Sequence, residues 1–172
     1  NILRFDQAFE FGHRFLRSKW QSRIERTGLF SVSNVPRNMA AMLLLLPSLI
    51  STPPYISYSL HGTALWFVSP LLFRPLFAKG ALTGLQKLLF SIIAAMMLFH
   101  LSYHNTGWTQ FGYRFFLDYL PLIITLLALD RRPLSSRSTR ALMAWSVIAN
   151  IYGAITFERF PSTYNTHFFP TL

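Results

Sequence analysis

The feature that most constrains this chain is a set of long apolar stretches joined by short connections. The clearest is ALTGLQKLLFSIIAAMMLFHL at 81–101, which holds one charged residue, Lys87, near its start. Three further stretches cover 61–78, 111–129 and 141–157. A helix needs about 20 mostly apolar residues to cross a bilayer, with about 17 as the lower limit. We therefore predict four transmembrane helices, which together form a bundle over 61–157.

The composition favours a membrane environment for these stretches. Of the 172 residues, 52% are apolar and only 13% are charged, which is about half of the charged share in a soluble domain. A soluble helical bundle is the alternative, but it would leave its helices almost no polar face. The predicted fold class is therefore an all-α, polytopic integral membrane helix bundle with an N-terminal amphipathic or interfacial region.

The positive charges are unevenly distributed and predict an orientation. The chain carries 16 Lys and Arg against 6 Asp and Glu, and seven of the 16 lie in the loops 74–87 and 130–140. The loops 51–60 and 102–110 carry none, and the tail 158–172 carries one. By the positive-inside rule the first two loops are cytoplasmic, whereas the 102–110 loop and the tail lie outside. No nucleic-acid recognition motif accompanies the charge, so membrane lipids are the expected partners and nucleic acid is not.

Residues 1–60 are predicted to form an outer-face juxtamembrane region with two helical segments. In 13–26, apolar residues recur every four positions among five basic residues, which is typical of a helix lying in the headgroup plane. An ordinary solvated, charged helix face is the alternative. The segment 38–50 reaches about 20 Å as a helix, short of a hydrocarbon core of about 30 Å. We expect it to be interfacial or re-entrant, and a crossing is the alternative.

The candidate functional residues lie between 104 and 118, at one predicted membrane face. Arg114 and Asp118 stand in a predicted transmembrane stretch, where a charge is costly unless it is paired or hydrated. Their i, i+4 spacing puts them on one helix face. They therefore either neutralise each other or present Arg114 to a phosphate or carboxylate, with Asp118 orienting it. The candidate substrate-binding residues are Arg114, Asp118, Trp108, Gln110, Tyr113, His104 and Asn105.

Other chemical motifs are weak in this sequence. His100 and His104 have a spacing that can chelate a metal, but no third ligand accompanies them, so no metal site and no cofactor are predicted. No HExxH, P-loop or GxSxG motif occurs. The chain has no Cys, which excludes disulfides, thiolate metal sites and Cys nucleophiles. Asn150, in the last apolar stretch, is predicted to donate an interhelical hydrogen bond.

Three segments resemble ones that recur in large bacterial polytopic membrane glycosyltransferases. They are LRFDQAFEFGHRFL at 3–16, GLFSVSNVPRNMAAMLLLLPSLI at 28–50 and NTGWTQFGYRFFLDYLP at 105–121. These proteins are described as family-39-type glycosyltransferases or as dolichyl-phosphate-mannose-protein mannosyltransferase-like members of the GT-C superfamily.

The resemblance implies a multi-helix enzyme that transfers a sugar from a polyprenyl-phosphate donor at an outward-facing site. Its general base is an acidic residue in the first outer loop, near the N-terminus of the complete protein. This chain would be a C-terminal fragment without the catalytic carboxylate. Its partners would be the N-terminal part of the same protein and a lipid-linked phosphate sugar, and it would be multi-pass in the cytoplasmic membrane of a bacterium. An embedded Arg suits the phosphate, and aromatic faces suit the sugar or isoprenoid.

Two functions of other classes remain open from the residues alone. The chain could be a segment of a transporter or flippase, because intramembrane charges such as Arg114 and Asp118 mark ion and substrate paths. It could also be a ligand-free structural membrane module, in which the two charges only neutralise each other.

Overall fold

The computed structural model describes residues 2–6, 12, 21–78 and 80–167. Its α-helices are α1 (Ile2–Phe5), α2 (Gln21–Thr27), α3 (Val35–Leu43), α4 (Leu65–Val68), α5 (Gly84–Ser102), α6 (Leu120–Ala128) and α7 (Arg137–Thr156). Within the described residues, 3₁₀ helices cover Val32–Asn34, Pro70–Phe77, Arg114–Asp118 and Pro161–Thr163. The short strands there are β1 (Ser48–Leu49), β2 (Ile56–Ser59) and β3 (Tyr164–Asn165).

The strands form one small mixed sheet in the order β1-β2-β3. Strand β2 pairs antiparallel with β1, where Ser48 lies opposite Ser57. On its other side β2 pairs parallel with β3, where Tyr58 lies opposite Tyr164. The sheet therefore joins the segment between α3 and α4 to the segment that follows α7.

The prediction of an all-α, polytopic membrane helix bundle is wrong. The chain contains the β1-β2-β3 sheet, and among the described residues only α5 is long and apolar enough to cross a membrane. The predicted stretch 81–101 corresponds closely to this helix. It begins at a capping box in which Thr83 and Gln86 bond each other's backbone amides, a strong helix start signal.

The predicted stretch 61–78 does not form one helix. It consists of the four-residue α4 followed by the 3₁₀ helix Pro70–Phe77. Pro70 and Pro75 provide the physical reason, because proline has no amide hydrogen and its ring clashes with the preceding helical turn. A prediction from apolar composition alone does not detect this break in the helix.

The predicted stretch 111–129 is also divided. The 3₁₀ helix Arg114–Asp118 comes first, and α6 begins with Pro121 in its first turn. Helix α6 has nine residues, or about 14 Å at the usual helical rise, which is too short to cross a bilayer.

The remaining predicted helices have shifted bounds. The stretch 141–157 lies in α7, which starts four residues earlier and takes in Arg137 and Arg140. The segment 38–50 includes the end of α3 and the whole of β1. Helix α3 has nine residues and is about 14 Å long. Of the predicted surface helix 13–26, residues 13–20 lie outside the described residues, and the rest belongs to α2.

The C-terminal end of α5 is held by the segment 34–38. The last carbonyls of any helix lack partners within the helix. Here the Asn38 side chain donates to the carbonyls of Leu101 and Tyr103, at 2.8 and 2.7 Å. Asn34 donates to the Ser102 carbonyl at 3.1 Å, and Arg37 donates to that of the following His104. We call this arrangement the α5 clamp.

The α5 clamp lies beside the hydrophobic core. Asn38 is fully buried, so its two hydrogen bonds are formed away from water, where leaving a carbonyl unpaired would be costly. The clamp brings α3 against α5 and orders the start of the loop that follows α5. The core cluster around it is Ala41, Met42, Leu45, Leu65, Leu101 and Tyr113.

The α5 clamp predicts a large effect for Asn38→Ala. This substitution removes both hydrogen bonds and leaves the buried Leu101 carbonyl and the partly buried Tyr103 carbonyl without that donor. We expect the free energy of unfolding to fall by about 2 kcal/mol or more. Urea or thermal unfolding of the purified chain measures this. Met39→Ala is the matched control, because Met39 is its neighbour on α3 and is 40% exposed; equal losses for the two variants would contradict the clamp.

Candidate functional site

The loop after α5 is organised around one buried amide, Gln110. Gln110 is only 3% exposed. The Nε2 atom donates to the carbonyls of His61 and Thr106, at 2.6 and 2.8 Å. The Oε1 atom accepts a 2.9 Å hydrogen bond from the Arg114 amide. Gln110 is therefore not free to bind a ligand; it fixes the position where the Arg114–Asp118 helix begins.

Two glycines leave space for the Gln110 side chain. Gly62 and Gly107 both have positive φ angles, +109° and +100°. A Cβ atom on Gly107 would lie 2.5 Å from Gln110 Oε1, and one on Gly62 would lie 2.9 Å from its Nε2. The fold therefore requires glycine at both positions, because a Cβ atom would clash with Gln110 and because the φ angles are positive.

The rest of the loop is held by its own polar side chains. Asn105 Oδ1 accepts from the amides of Gly107 and Trp108, at 3.0 and 3.2 Å. Thr106, 1% exposed, lies with its hydroxyl 2.7 Å from Nδ1 of His61. The indole of Trp108 meets the His61 ring edge-on at 4.6 Å. Asn105 and Trp108 are thus structural in this loop, although Trp108 stays partly exposed.

His61 carries a shifted acid–base equilibrium. Burial lowers the pKa of His61, and the positive charges of Arg37 and Arg23 lower it further. Each of these disfavours a second positive charge on the ring. The imidazole therefore stays neutral to lower pH than it would in an unfolded chain.

Two other predicted site residues are internal. Tyr113 is fully buried in the core cluster, and burial raises its pKa well above the usual range. His104 is 7% exposed, its amide donates to the Leu29 carbonyl, and its own carbonyl is part of the α5 clamp. Neither residue lines the groove beside Arg114 that is described next.

Arg114 lies at the wall of a groove of about 440 Å³ between the loop and α7, which we call the Arg114 groove. Its side chain is exposed. No carboxylate in the described parts of the chain lies within ion-pair distance of its guanidinium. The guanidinium carbon is 5.7 Å from the centre of the Phe115 ring. The groove walls are mostly apolar and include Leu65, Val68, Phe111, Phe116, Ala154 and Phe157.

Helix α7 supplies the far wall through small and amide residues. A Cβ atom on Gly153 would lie 2.2 Å from the Phe111 ring, so glycine there allows the aromatic ring to pack directly on the helix. Asn150 donates to the Val68 carbonyl and the Ser69 hydroxyl, both at 3.2 Å. The predicted interhelical hydrogen bond of Asn150 is confirmed.

Arg114 and Asp118 do not share the predicted helix face, so they neither neutralise each other nor allow Asp118 to orient Arg114. Asp118 Oδ2 instead lies 2.9 Å from Nε2 of His100, whose ring stacks on Phe115. The reason is the 3₁₀ geometry of Arg114–Asp118. With three residues per turn, positions i and i+3 are aligned, and i and i+4 are not. Asp118 therefore turns toward α5, and Arg114 is left with its charge uncompensated among the described residues.

Several residues that build this region were not singled out from the sequence. They include the clamp residues Asn34, Arg37 and Asn38, the loop partner His61, and the groove residues Phe111, Gly153 and Phe157. Polar residues inside the otherwise apolar stretch 28–50 were the available signal for the clamp. Across the described ranges, no three His, Asp or Glu side chains are grouped so that they could hold a metal ion.

The chain matches no protein-family model, no curated protein and no solved structure. The resemblance of its three segments to membrane glycosyltransferases therefore stays a prediction.

The packing around Gln110 predicts that Gly107→Ala is destabilising. The new Cβ would require both a rare backbone conformation and displacement of Gln110 Oε1. We expect a loss of about 1–3 kcal/mol in the free energy of unfolding, measured by urea titration. Gly112→Ala is the control, because its Cβ would lie 3.7 Å from the nearest side-chain atom. A change in the control as large as that in Gly107→Ala would refute the steric argument.

The lowered pKa of His61 predicts a pH effect on stability. As the pH falls below about 6.5, the unfolded chain binds a proton that the folded chain resists. The contribution of His61 to stability is therefore complete above this pH and declines as the pH falls through the lower folded-state value. We expect His61→Gln to reduce the difference in unfolding free energy between pH 7.5 and pH 5. Identical pH profiles for the two proteins would contradict this assignment.

Proposed function

We propose that this chain is the accessory C-terminal part of a membrane glycosyltransferase that uses a polyprenyl-phosphate sugar, and that the Arg114 groove binds the phosphate end of this donor. One observation carries the proposal: Arg114 is an exposed cation without an acidic partner in the described residues, and it lies on an otherwise mostly apolar groove. A lipid phosphate has the complementary chemistry, an anionic group attached to an apolar chain.

Arg114 suits a phosphate in geometry as well as in charge. A guanidinium offers parallel N–H donors that can bind two phosphate oxygens at once. In sugar transfer from a polyprenyl-phosphate donor, negative charge develops on the departing phosphate, and a fixed cation stabilises it. Gln110 holds the Arg114 backbone in place, so the side chain extends from a fixed point at the groove. Apolar and aromatic walls at Phe111, Phe116 and Phe157 suit the isoprenoid or a sugar face.

The membrane location in this proposal rests on α5. Its 19 residues reach about 28 Å, close to the thickness of a hydrocarbon core. Only two of its residues, Leu89 and Leu101, are buried inside the protein, so most of its surface is open to lipid, unlike the helix at the centre of a soluble domain. By the positive-inside rule, the basic segment 74–87, which leads into α5, would lie on the cytoplasmic side. The loop that follows α5 and carries Gln110 would then lie outside.

The roles of the candidate residues differ in this proposal. Arg114 binds the phosphate, and Gln110 positions it. Trp108 is partly exposed and lies against the His61 ring, so it has no direct contact with the phosphate in this proposal. Asp118 has no part in orienting Arg114, because it contacts His100. The catalytic carboxylate expected from the resemblance would be supplied by a segment outside this chain.

The proposal predicts that Arg114→Ala weakens binding of polyprenyl phosphate. Loss of a charge-assisted hydrogen-bonded pair should lower the affinity about tenfold or more. Binding to the chain in nanodiscs can be measured by titration with polyprenyl phosphate, with the uncharged polyprenol as the matched ligand. Ala154→Trp should also weaken binding, because it fills the groove from the α7 side. In the complete enzyme, Arg114→Ala should reduce sugar transfer while membrane insertion is unchanged.

Arg159→Ala is the control variant, since Arg159 is an exposed arginine near the end of α7 that does not line the groove. Its affinity should stay within about threefold of the wild type. Equal binding of polyprenol and polyprenyl phosphate, or equal effects of the two arginine variants, would refute the role of Arg114. Absence of any binding would favour the ligand-free structural module.

A further inference from the structure

A second polar site lies at the opposite end of α7 from the Arg114 groove. The 3₁₀ helix Pro70–Phe77 faces the first turns of α7 across a cavity of about 550 Å³, which we call the Arg74 cavity. Its polar lining is Arg74, Arg132, Ser136, Ser138 and Thr139. From Ser138 to Gly153 of the Arg114 groove is fifteen residues of helix, or about 22 Å. The two sites are therefore separate.

Arg74 is a buried cation with an unused donor group. The residue is 6% exposed. Its Nε atom lies 3.1 Å from Asp130 Oδ2, and its Nη2 atom donates to the Arg132 carbonyl at 2.7 Å. Its Nη1 atom is buried and has no hydrogen-bond partner in the described part of the chain. A buried charged donor without a protein acceptor is costly. Arg74 lines the cavity, so an anionic group bound there would supply the missing acceptor.

The charges around the cavity leave a positive balance. Asp130 is shared, because Arg132 Nη2 also lies 2.6 Å from the same Oδ2 atom. The hydrogen bond from Arg132 holds the pKa of Asp130 below its usual range, against the opposing effect of burial. One fixed carboxylate thus faces two guanidinium groups. The side chain of Arg132 is 30% exposed. Its Nε and Nη2 atoms donate to Asp130 and to the Arg74 carbonyl, which leaves Nη1 for a ligand.

The start of α7 adds further donors. Ser136 is its N-cap and accepts a hydrogen bond from the Thr139 amide. The helix has 20 residues, so its N-terminus carries the partial positive charge of a full helix dipole. Backbone amides and hydroxyls at such a position bind phosphate groups readily. Ser138, in the first turn, is exposed and lines the cavity.

We propose that the Arg74 cavity binds a phosphate group, held by Arg74, Arg132 and the first turn of α7. Apolar side chains make up most of the rest of the lining, among them Trp66, Phe73, Phe77 and Leu142. Trp66 and Phe77 are 43% and 70% exposed, which also fits the glycerol and acyl region of a phospholipid beside its headgroup. The phosphate could belong to an anionic lipid or to a free phosphate ester, and the experiment below separates these sources.

The test uses the purified chain in a sugar-headgroup detergent, which contains no phosphate. In one arm, inorganic phosphate is titrated against chloride at equal ionic strength. In the other, the micelles contain phosphatidic acid or, as the matched lipid without phosphate, diacylglycerol. Binding to the folded state should raise the melting temperature in a saturable way, by about 4 °C or more at saturation. A response to inorganic phosphate identifies a free-phosphate site, and a response to phosphatidic acid alone identifies a lipid headgroup site.

Variants connect the response to the cavity. Ser138→Asp places a carboxylate on the cavity wall, and an acidic residue in the first turn of a helix is favourable for folding. We expect its affinity for the phosphate probe to fall about tenfold. Ser135→Asp is the matched control, because it adds the same charge just before α7 at a residue that does not line the cavity. Arg74→Gln should abolish the response, but it also breaks the pair with Asp130, so Ser138→Asp is the decisive variant.

Two results would overturn the proposal. One is a melting temperature that is the same with phosphate and chloride, and the same with phosphatidic acid and diacylglycerol. The other is a phosphate response that Ser138→Asp and Ser135→Asp reduce equally, because this would assign the effect to general charge and not to the cavity.

Discussion

The structure depends on how the last carbonyls of α5, which have no partners within the helix, find hydrogen-bond donors. A 19-residue apolar helix that ends beside the core leaves its last carbonyls without partners. The α5 clamp provides them from the side chains of Asn34, Arg37 and Asn38. Since Asn38 is fully buried, the clamp fixes α3 against α5 in a low-dielectric environment, where such hydrogen bonds are strong.

The clamp also determines where the functional loop begins. The loop leaves α5 at Tyr103, whose carbonyl is one of the groups bound by Asn38. Gln110 then joins this loop to the His61 segment and to the start of the 3₁₀ helix Arg114–Asp118. Most polar residues of this loop form hydrogen bonds that hold the loop itself together. Arg114 is the exception, and its exposure on an apolar groove follows from hydrogen bonds made by other residues.

The basic residues that give the chain its high net positive charge lie in different environments. The basic loops at one end of α5 include Arg74 and Arg132, which share a single carboxylate, Asp130, beside the start of α7. Arg114 lies near the other end of α7, separated from Asp118 by the geometry of its own helix. The two proposed phosphate sites therefore have different physical origins. In the Arg114 groove a cation is exposed on an apolar surface, whereas in the Arg74 cavity a cation is buried with one donor unused.

The sequence by itself determined the position of α5, because a long apolar run with a capping box has one favourable local structure. It also indicated that Asn150 would bond another segment and that polar chemistry would concentrate between 104 and 118. Only the tertiary structure decided which of those residues reach a groove. It divided 61–78 and 111–129 into short helices and added a sheet between segments far apart in the chain. Apolar content is blind to such features, because proline breaks, 3₁₀ geometry and strand pairing depend on backbone hydrogen bonds whose partners are distant in sequence.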